Sequence, residues 1–274
     1  MTDTKDGIGG AQLAIYEEED KLAIITLNRP EKLNALSRDL WAAFDACLGR
    51  ALGSAHIRAV VLLGRGRAFS VGADIAGNED PTALAPWLDI YGKHHVRQCR
   101  IWDSDKLFIA GIHGHCLGRG LELALWCDIV VAARDAKIGQ PEIREAFIVS
   151  SVAPWLMNPQ AAKLFMLGGE SIGAEEAATL GLAARVVDGD IREETLRIAR
   201  RLAHVPARAA GTVKRMVNEV QESQGLRVQQ AAGVALAAAA SAMTPEEKGI
   251  AELLRIRRER GFKESIRFRD APFA

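Results

Sequence analysis

The chain has 274 residues, of which 49% are hydrophobic and 26% are charged, as in ordinary globular proteins. Lysine plus arginine and aspartate plus glutamate both number 35, so the net charge is zero and no overall field attracts nucleic acid or an acidic membrane. The start, MTDTKDGIGGAQ, is polar and lacks the apolar core of a secretory signal, and the longest run of small apolar residues, 231–243, is too short to span a bilayer. We therefore expect a cytoplasmic protein that is not bound to a membrane.

Short apolar runs rich in β-branched residues recur along the first 190 residues and predict strands that are covered on both faces. They are LAIITL at 22–27, AVVLL at 59–63, LFIAGI at 107–112, DIVVAA at 128–133 and AARVVD at 183–188. Helical patterns lie between several of them, one beginning after Ser37 as a plausible N-cap and one over residues 84–103. Strands alternating with helices predict an α/β fold.

The pattern changes near residue 190, where four helical stretches follow at 191–204, 206–222, 225–242 and 245–260. The third is rich in alanine, which suits close packing against other helices, including those of another subunit. We predict a catalytic core over residues 1–190 and a helical oligomerisation region over residues 191–274.

The cysteines and histidines do not predict a metal site. Cys47, Cys99, Cys116 and Cys127 show no CxxC spacing and lie in apolar surroundings, as reduced packing residues do. His113 and His115 share one face of a predicted strand, but no third ligand lies nearby in the sequence.

Two glycine-containing turns follow predicted strands. The first, GRGRAFSVGADIAG at 64–77, contains Gly72-Ala73-Asp74, where a helix can begin, and the second is Gly118-Arg119-Gly120. Two such turns can direct two backbone N–H groups at one carbonyl oxygen and form an oxyanion hole. Glycine turns between strand and helix are common, so this pattern is weak evidence by itself.

Two glutamates are candidates for proton transfer. Glu122 lies inside the apolar stretch GHCLGRGLELALWCDI, where it serves either the first turn of a helix or a dry pocket in which it moves a proton. Glu142 follows Pro141, which fits a helix start as well as a second catalytic acid. Paired carboxylates whose pKa values differ can divide acid and base work between them.

Taken together, four ordered segments resemble the enoyl-CoA hydratase/isomerase family, also called crotonases. They are LAIITLNRPEKLNALS at 22–37, GRAFSVGADI at 66–75, GHCLGRGLELALWCDIVVAARDAKIGQPEI at 114–143 and ESIGAEEAATLGLAARVVD at 170–188. EEKGIAELLRIRRERGF, near the C-terminus, looks like the family's final helix.

The resemblance implies a crotonase-like α/β spiral of ββα repeats with a helical C-terminal trimerisation region, assembled as a homotrimer or hexamer. It implies an acyl-CoA thioester as substrate and no cofactor or metal beyond the CoA that the substrate carries. The thioester oxygen would accept from the N–H groups of Ala73 and Arg119, and residues Ala73, Asp74, Ile75 and Ala76 would border the CoA arm. Glu122 and Glu142 match the glutamates that handle water and protons in hydratases.

Two departures from the family pattern affect the predicted reaction. Arg119 stands where many relatives have a small residue, so its side chain has to point away from the acyl group, towards a CoA phosphate or a neighbouring chain. Ser150 and Ser151 replace glycines in a loop, residues 144–155, that usually helps to seat the water. The C-terminal tail is basic, and its arginines form either a solvated face or a contact with CoA phosphates.

The leading hypothesis is a lyase that adds water to a 2-enoyl-CoA or removes it from a 3-hydroxyacyl-CoA. A double-bond isomerase, which needs only one of the two acids, and an acyl-CoA hydrolase are the alternatives. A non-catalytic binder of RNA or protein is a hypothesis of another class, but the helix at 39–52 carries only Arg50 as a basic residue, so nucleic acid is not expected as a partner.

Overall fold

The computed structural model describes residues 12–74, 84–148, 152–247 and 249–273. The strands are β1 (Ala14–Glu19), β2 (Leu22–Leu27), β3 (Ala59–Gly64), β4 (Ala68–Ser70), β5 (Leu107–Ile112), β6 (His115–Leu117), β7 (Ile129–Ala133), β8 (Lys137–Gly139), β9 (Ser171–Gly173) and β10 (Arg185–Val187). The α-helices are α1 (Arg38–Gly53), α2 (Leu84–Trp102), α3 (Gly118–Leu125), α4 (Ala153–Leu156), α5 (Pro159–Gly168), α6 (Ala174–Thr179), α7 (Ile191–Ala203), α8 (Ala207–Ser223), α9 (Leu226–Ser241), α10 (Ala251–Arg260) and α11 (Phe262–Asp270). Short 3-10 helices cover Pro30–Lys32, Pro141–Glu145 and Ala271–Phe273.

The strands of the described residues form two sheets. The larger has the order β1-β2-β3-β5-β7-β10 and is parallel except for the β1–β2 hairpin. The smaller has the order β4-β6-β8-β9, with β9 antiparallel to β8. Every strand predicted from the apolar runs is present, and the predicted α/β fold class is confirmed.

Strand β2 shows why the apolar runs lack a polar face. Its residues alternate between two cores: Ile25 packs with Leu40 and Phe44 of α1 on one side of the sheet, and Ile24 packs with Leu196 of α7 on the other. Both faces are therefore covered by helices, as expected for parallel strands. Helix α1 begins where predicted, because the side chain of Ser37 accepts a hydrogen bond from the N–H of Leu40.

The structure corrects three local predictions. Ala73 forms a bridge with Leu36, so no helix has begun by residue 74, and residues 75–83 lie outside the described part of the chain. The fourth C-terminal helix begins at Ala251 rather than at 245, and a further helix, α11, was not predicted. Both changes occur beside a glycine in the left-handed region, Gly249 (φ +69°) and Gly261 (φ +89°), where the backbone leaves the helical conformation.

Other predictions are tested only in part. All four cysteines are free. No helix among the described residues is long and apolar enough to cross a membrane. The division of the chain at residue 190 stays a prediction.

A buried ion pair ties α8 to the larger sheet. The Lys214 Nζ lies 3.0 Å from Asp128 Oδ2 and donates to the carbonyl oxygens of Ile101 and Lys106 at 2.9 and 3.0 Å. Asp128 also accepts from the N–H of Phe108 at 2.7 Å. One lysine side chain of α8 thus links this helix to the end of α2 and the start of β5.

Replacing Lys214 with methionine keeps the volume and leaves Asp128 buried without its cation. We expect the free energy of unfolding to fall by about 3–5 kcal/mol, measured by chemical denaturation. Arg215→Met is the matched control, because Arg215 forms an exposed pair with Asp105 on the same helix, and its loss is expected to stay within about 1 kcal/mol. Equal losses for the two variants would contradict the importance of the buried pair.

Candidate active site

The two glycine turns meet at one place, together with Glu142. Gly72, which follows β4, and Gly118, which begins α3, both have positive φ, at +93° and +49°. A Cβ atom placed on Gly72 would lie 3.3 Å from the backbone nitrogen of Arg119 and 3.3 Å from Oε1 of Glu142. The backbone of one turn therefore packs directly against the other turn and against a carboxylate.

The first turn leaves the N–H of Ala73 directed away from its bridge partner. The bridge to Leu36 uses the carbonyl of Gly72 (2.8 Å) and the N–H of Asp74 (3.4 Å), so it does not use the Ala73 N–H. Buried Ser70 fixes the turn, because its hydroxyl donates to the carbonyl of Asn34 at 2.8 Å and accepts from the N–H of Gly72 at 3.2 Å.

Asp74 is held by an ion pair with Arg29, which also donates to the carbonyl of Ala35 at 3.2 Å. Ala73 thus lies between two anchored neighbours. Ile75 and Ala76, the other residues predicted beside the CoA arm, lie outside the described residues.

Glu142 occupies the space that the missing side chain of Gly118 provides. A Cβ atom on Gly118 would overlap the Glu142 carboxylate, so only glycine fits there. The N–H of Arg119 donates towards this carboxylate, whereas the buried Oε2 has no hydrogen-bond partner among the described residues. Burial raises the pKa of Glu142 to about 7, opposed by the Arg119 charge and by backbone donors.

Glu122 lies in the middle of α3 with 1% of its surface exposed, and no acidic residue lies in the first turn of that helix. The helix-dipole interpretation of Glu122 is therefore wrong. Gln140 Nε2 donates to Oε1 at 2.6 Å, and the N–H of Val152 donates to Oε2 at 3.4 Å. These donors suit a charged carboxylate. Gln140 was not predicted, although its position directly before Pro141-Glu142 is a signal that could have identified it.

The side chain of Arg119 points towards α2 and is 8% exposed. Its guanidinium lies 4.5 Å from the centre of the Tyr91 ring, and it lines a cavity of about 20 Å³ together with Glu122 and His94. The Tyr91 hydroxyl is in turn bonded to Ser241 Oγ (2.9 Å) and to the carbonyl of Ile148 (3.0 Å). The structure therefore corrects the predicted directions for Arg119, because its side chain is buried inside its own chain.

The structure thus brings Glu122, Glu142, Ala73 and the Arg119 N–H to the ends of β4, β6 and β8. Across the described part of the chain, no group of three or more histidine, cysteine or acidic side chains is arranged to hold a metal ion. What this arrangement offers is two backbone donors and two carboxylates in different surroundings, one buried and one partly buried.

Comparisons with known proteins identify the family. The family model described as enoyl-CoA hydratase/isomerase matches residues 17–258. A probable enoyl-CoA hydratase of Rhizobium meliloti is 34% identical over 226 residues, which cover 79% of this chain and 86% of the relative. A crotonyl-CoA hydratase of Syntrophomonas wolfei is 32% identical over 75% of this chain and 81% of the relative.

One relative carries a different activity in its name: a 1,2-epoxyphenylacetyl-CoA isomerase of Escherichia coli is 32% identical over 74% of this chain and 80% of its own length. Among solved structures, an enoyl-CoA hydratase/isomerase from Xanthobacter autotrophicus has a TM-score of 0.88 at 33% identity, covering 96% of this chain and 98% of that one. The fold and these relatives thus define a crotonase-type enzyme. The chain belongs to the enoyl-CoA hydratase/isomerase family.

The raised pKa of Glu142 makes stability depend on pH. Between the ordinary glutamate value of 4.5 and about 7, the folded protein retains a proton that the unfolded chain has lost, so the free energy of unfolding falls as pH rises. Above that window the buried charge costs about 3 kcal/mol. We expect Glu142→Gln to be more stable than the wild type by about that amount near pH 8 and to lose this advantage near pH 4.

Denaturant unfolding at the two pH values measures the difference. Glu170→Gln, at an exposed position, serves as the control for loss of a carboxylate. A pH-independent difference between wild type and Glu142→Gln would show that the Glu142 carboxyl titrates normally.

Proposed function

We propose that the protein is an enoyl-CoA hydratase-type lyase, which adds water to a 2-enoyl-CoA or removes it from a 3-hydroxyacyl-CoA. The observation that carries this proposal is a pair of glutamates in unlike surroundings, Glu122 being buried and Glu142 partly buried with an inaccessible Oε2. Glu122 receives donors on both oxygens, whereas Glu142 has a pKa of about 7 and one oxygen without a donor among the described residues. Such a pair suits a base and an acid at one site.

In the forward direction, the thioester oxygen accepts from the N–H groups of Ala73 and Arg119. Glu122 removes a proton from water while the water oxygen bonds to the β-carbon. The electrons of the double bond move to the thioester oxygen as an enolate, which the two donors stabilise, and Glu142 then gives its proton to the α-carbon. Dehydration is the reverse. No cofactor is required besides the CoA of the substrate.

Substrate binding also favours the acid form of Glu142. The N–H of Arg119 donates towards Glu142, and this bond lowers the pKa of Glu142. When a thioester oxygen takes over that N–H, the carboxyl loses a donor that stabilises its charge, so its pKa rises further. The proton needed by the α-carbon is thereby retained until the enolate forms.

A double-bond isomerase is the second candidate. Isomerisation removes a proton from one carbon and returns it to another, which a single group with a pKa near 7, such as Glu142, can do without Glu122. The similarity to an isomerase of Escherichia coli supports this alternative.

We also propose that the protein assembles as a homotrimer or as a hexamer of two trimers. Helix α8 carries an apolar stripe at helical spacing, formed by Val213, Met216, Val217 and Val220, each about 60% exposed. A contiguous apolar face of this kind suits burial against another copy of the chain.

To test the reaction, wild type, Glu122→Gln and Glu142→Gln are compared on a panel of 2-enoyl-CoA thioesters by following the loss of enoyl-thioester absorbance. Glutamine keeps the shape and removes the proton chemistry, so kcat/KM is expected to fall by at least about 10² in both variants. If only Glu142→Gln loses activity while the wild type moves double bonds, the protein is an isomerase. A wild type that is inert on every thioester would contradict both.

To test assembly, Val217→Asp is compared with Glu219→Lys, which changes the charge of the same helix away from the stripe. We expect light scattering after gel filtration to show a trimer or hexamer for the wild type and the control, and a smaller species for Val217→Asp. A monomeric wild type would refute the proposed assembly.

A further inference from the structure

Helices α10 and α11 form a hairpin around Gly261, called here the C-terminal hairpin (residues 251–270). It packs against the 3-10 helix Pro141–Glu145, the element that carries Glu142. The sequence interpretation gave the arginines of this region to solvent or to CoA phosphates. In the structure, two of these arginines instead point inward and bind Glu145, which lies three residues after Glu142.

Glu145 is the centre of this contact. It is 2% exposed, and its carboxylate accepts from Arg257 Nη2 at 2.8 Å on Oε2 and from Arg269 Nη1 at 3.1 Å on Oε1. Arg257 is further held by Ser265, a buried hydroxyl 3.2 Å from its Nε, and Arg269 forms two hydrogen bonds with Asp270. A carboxylate buried to this degree requires such partners, because an unpaired charge there is costly.

Arg144 forms a second connection, in which the 3-10 helix supplies the cation and the hairpin supplies the carboxylate. Its Nη1 lies 3.1 Å from Asp270 Oδ1 of the hairpin, and its guanidinium lies 4.2 Å from the centre of the Phe273 ring. Its Nε and Nη2 donate to the carbonyl of Gly168 at the end of α5. Both residues that end the 3-10 helix are thus bound to the C-terminal hairpin by charged groups.

The 3-10 helix links the position of Glu145 to that of Glu142. Residues three apart in a 3-10 helix lie one above the other, so the backbone of Glu142 moves with that of Glu145. The next residue, Ala146, has a φ of +56°, and the N–H of Phe147 closes the turn onto the carbonyl of Glu142 at 3.1 Å. This leaves the segment little freedom to rotate the carboxylate away from Gly118.

We propose that the C-terminal hairpin positions the catalytic acid: by binding Glu145 through Arg257 and Arg269, it holds the Glu142 carboxylate in the space above Gly118, beside the N–H of Arg119. Arg257, Arg269 and Glu145 are positioning residues, because they act through Glu142. This inference rests on the proposed role of Glu142 as the acid of the reaction.

The same contact affects the charge of Glu142. Two charged side chains act on Glu142: Arg119 lowers its pKa, and Glu145 raises it. Removing Arg257 leaves the Glu145 charge less compensated, so the pKa of Glu142 rises. Because Glu142 acts as an acid, the high-pH limb of kcat/KM is expected to move to higher pH in Arg257→Gln.

The experiment compares Arg257→Gln and Arg269→Gln with Arg255→Gln and Arg267→Gln. The controls remove the same charge from the same two helices. Among the described residues, however, Arg255 pairs only with Glu252 and Glu259, and Arg267 only with Glu264, all within the hairpin's own helices. We expect kcat on an enoyl-CoA thioester to fall at least about tenfold in the first pair, with KM little changed, and both constants to be retained in the controls. Arg257→Lys is expected to restore part of kcat.

A second arm separates positioning from loss of structure. In a Glu142→Gln background, Arg257→Gln should cause little further loss, because the group that it positions is already gone. Thermal unfolding of every variant is measured alongside. If Arg257→Gln lowers kcat equally in both backgrounds, or if the controls lose as much as the test variants, the hairpin has only a structural role and the proposal is overturned.

The activity of Glu142→Gln alone distinguishes the proposed function from the proposed positioning role of the hairpin. If this variant is fully active, the proposed function fails whatever the arginine variants show. If Glu142→Gln is inactive while Arg257→Gln and Arg269→Gln equal their controls, the proposed function stands and the positioning role is refuted.

Discussion

The close approach of the Glu142 carboxylate to Gly118 is the constraint on which the site depends. It requires a residue without a side chain at the start of α3, and it brings a carboxylate beside the N–H of Arg119 and the backbone of Gly72. The same geometry removes Glu142 from water and raises its pKa to about 7. A position and a protonation state suited to proton transfer therefore have one common cause, which is burial against the backbone.

Three buried or nearly buried glutamates lie within 24 residues of one another, and their surroundings make them different acids. Glu122 accepts from an amide and a backbone N–H, Glu145 accepts from two arginines, and Glu142 retains an oxygen without a donor among the described residues. Donors and cations stabilise the charged form, whereas burial without them favours the proton. The contrast among the three is the basis for proposing Glu122 as the base and Glu142 as the acid, with Glu145 as a structural anion.

Much of the fold could be predicted from the sequence because its signals are local. Strand β2 is apolar on both faces, and Ser37 is followed by a helical period, so each could be recognised from its own neighbourhood. Glu122 and Glu142 became candidates in a similar way, since a carboxylate among leucines and a Pro-Glu pair after a strand are visible in short segments. Their chemical roles remain proposals, because local pattern does not define the surroundings of a buried acid.

The contacts that could not be predicted join residues far apart in the chain. Arg257 and Arg269 lie 112 and 124 residues from Glu145, and the sequence alone gives no reason to pair them, since the tail contains several arginines and several acids. Gly261 is the deciding local feature, because its φ of +89° turns α11 back against α10. A continuous helix through residue 261 could not carry Arg257 and Arg269 back to the same carboxylate.

These long-range contacts also bear on how one fold serves several reactions. Relatives at similar identity carry hydratase and isomerase names, so the shared core of strands and glycine turns does not by itself decide the reaction. Other candidates for setting the reaction are the groups around the two glutamates, which here are Gln140 beside Glu122 and the C-terminal hairpin beside Glu142. Because donors and cations stabilise the charged form of a carboxylate, a change in these neighbours shifts the pKa of a glutamate without moving it in the sequence.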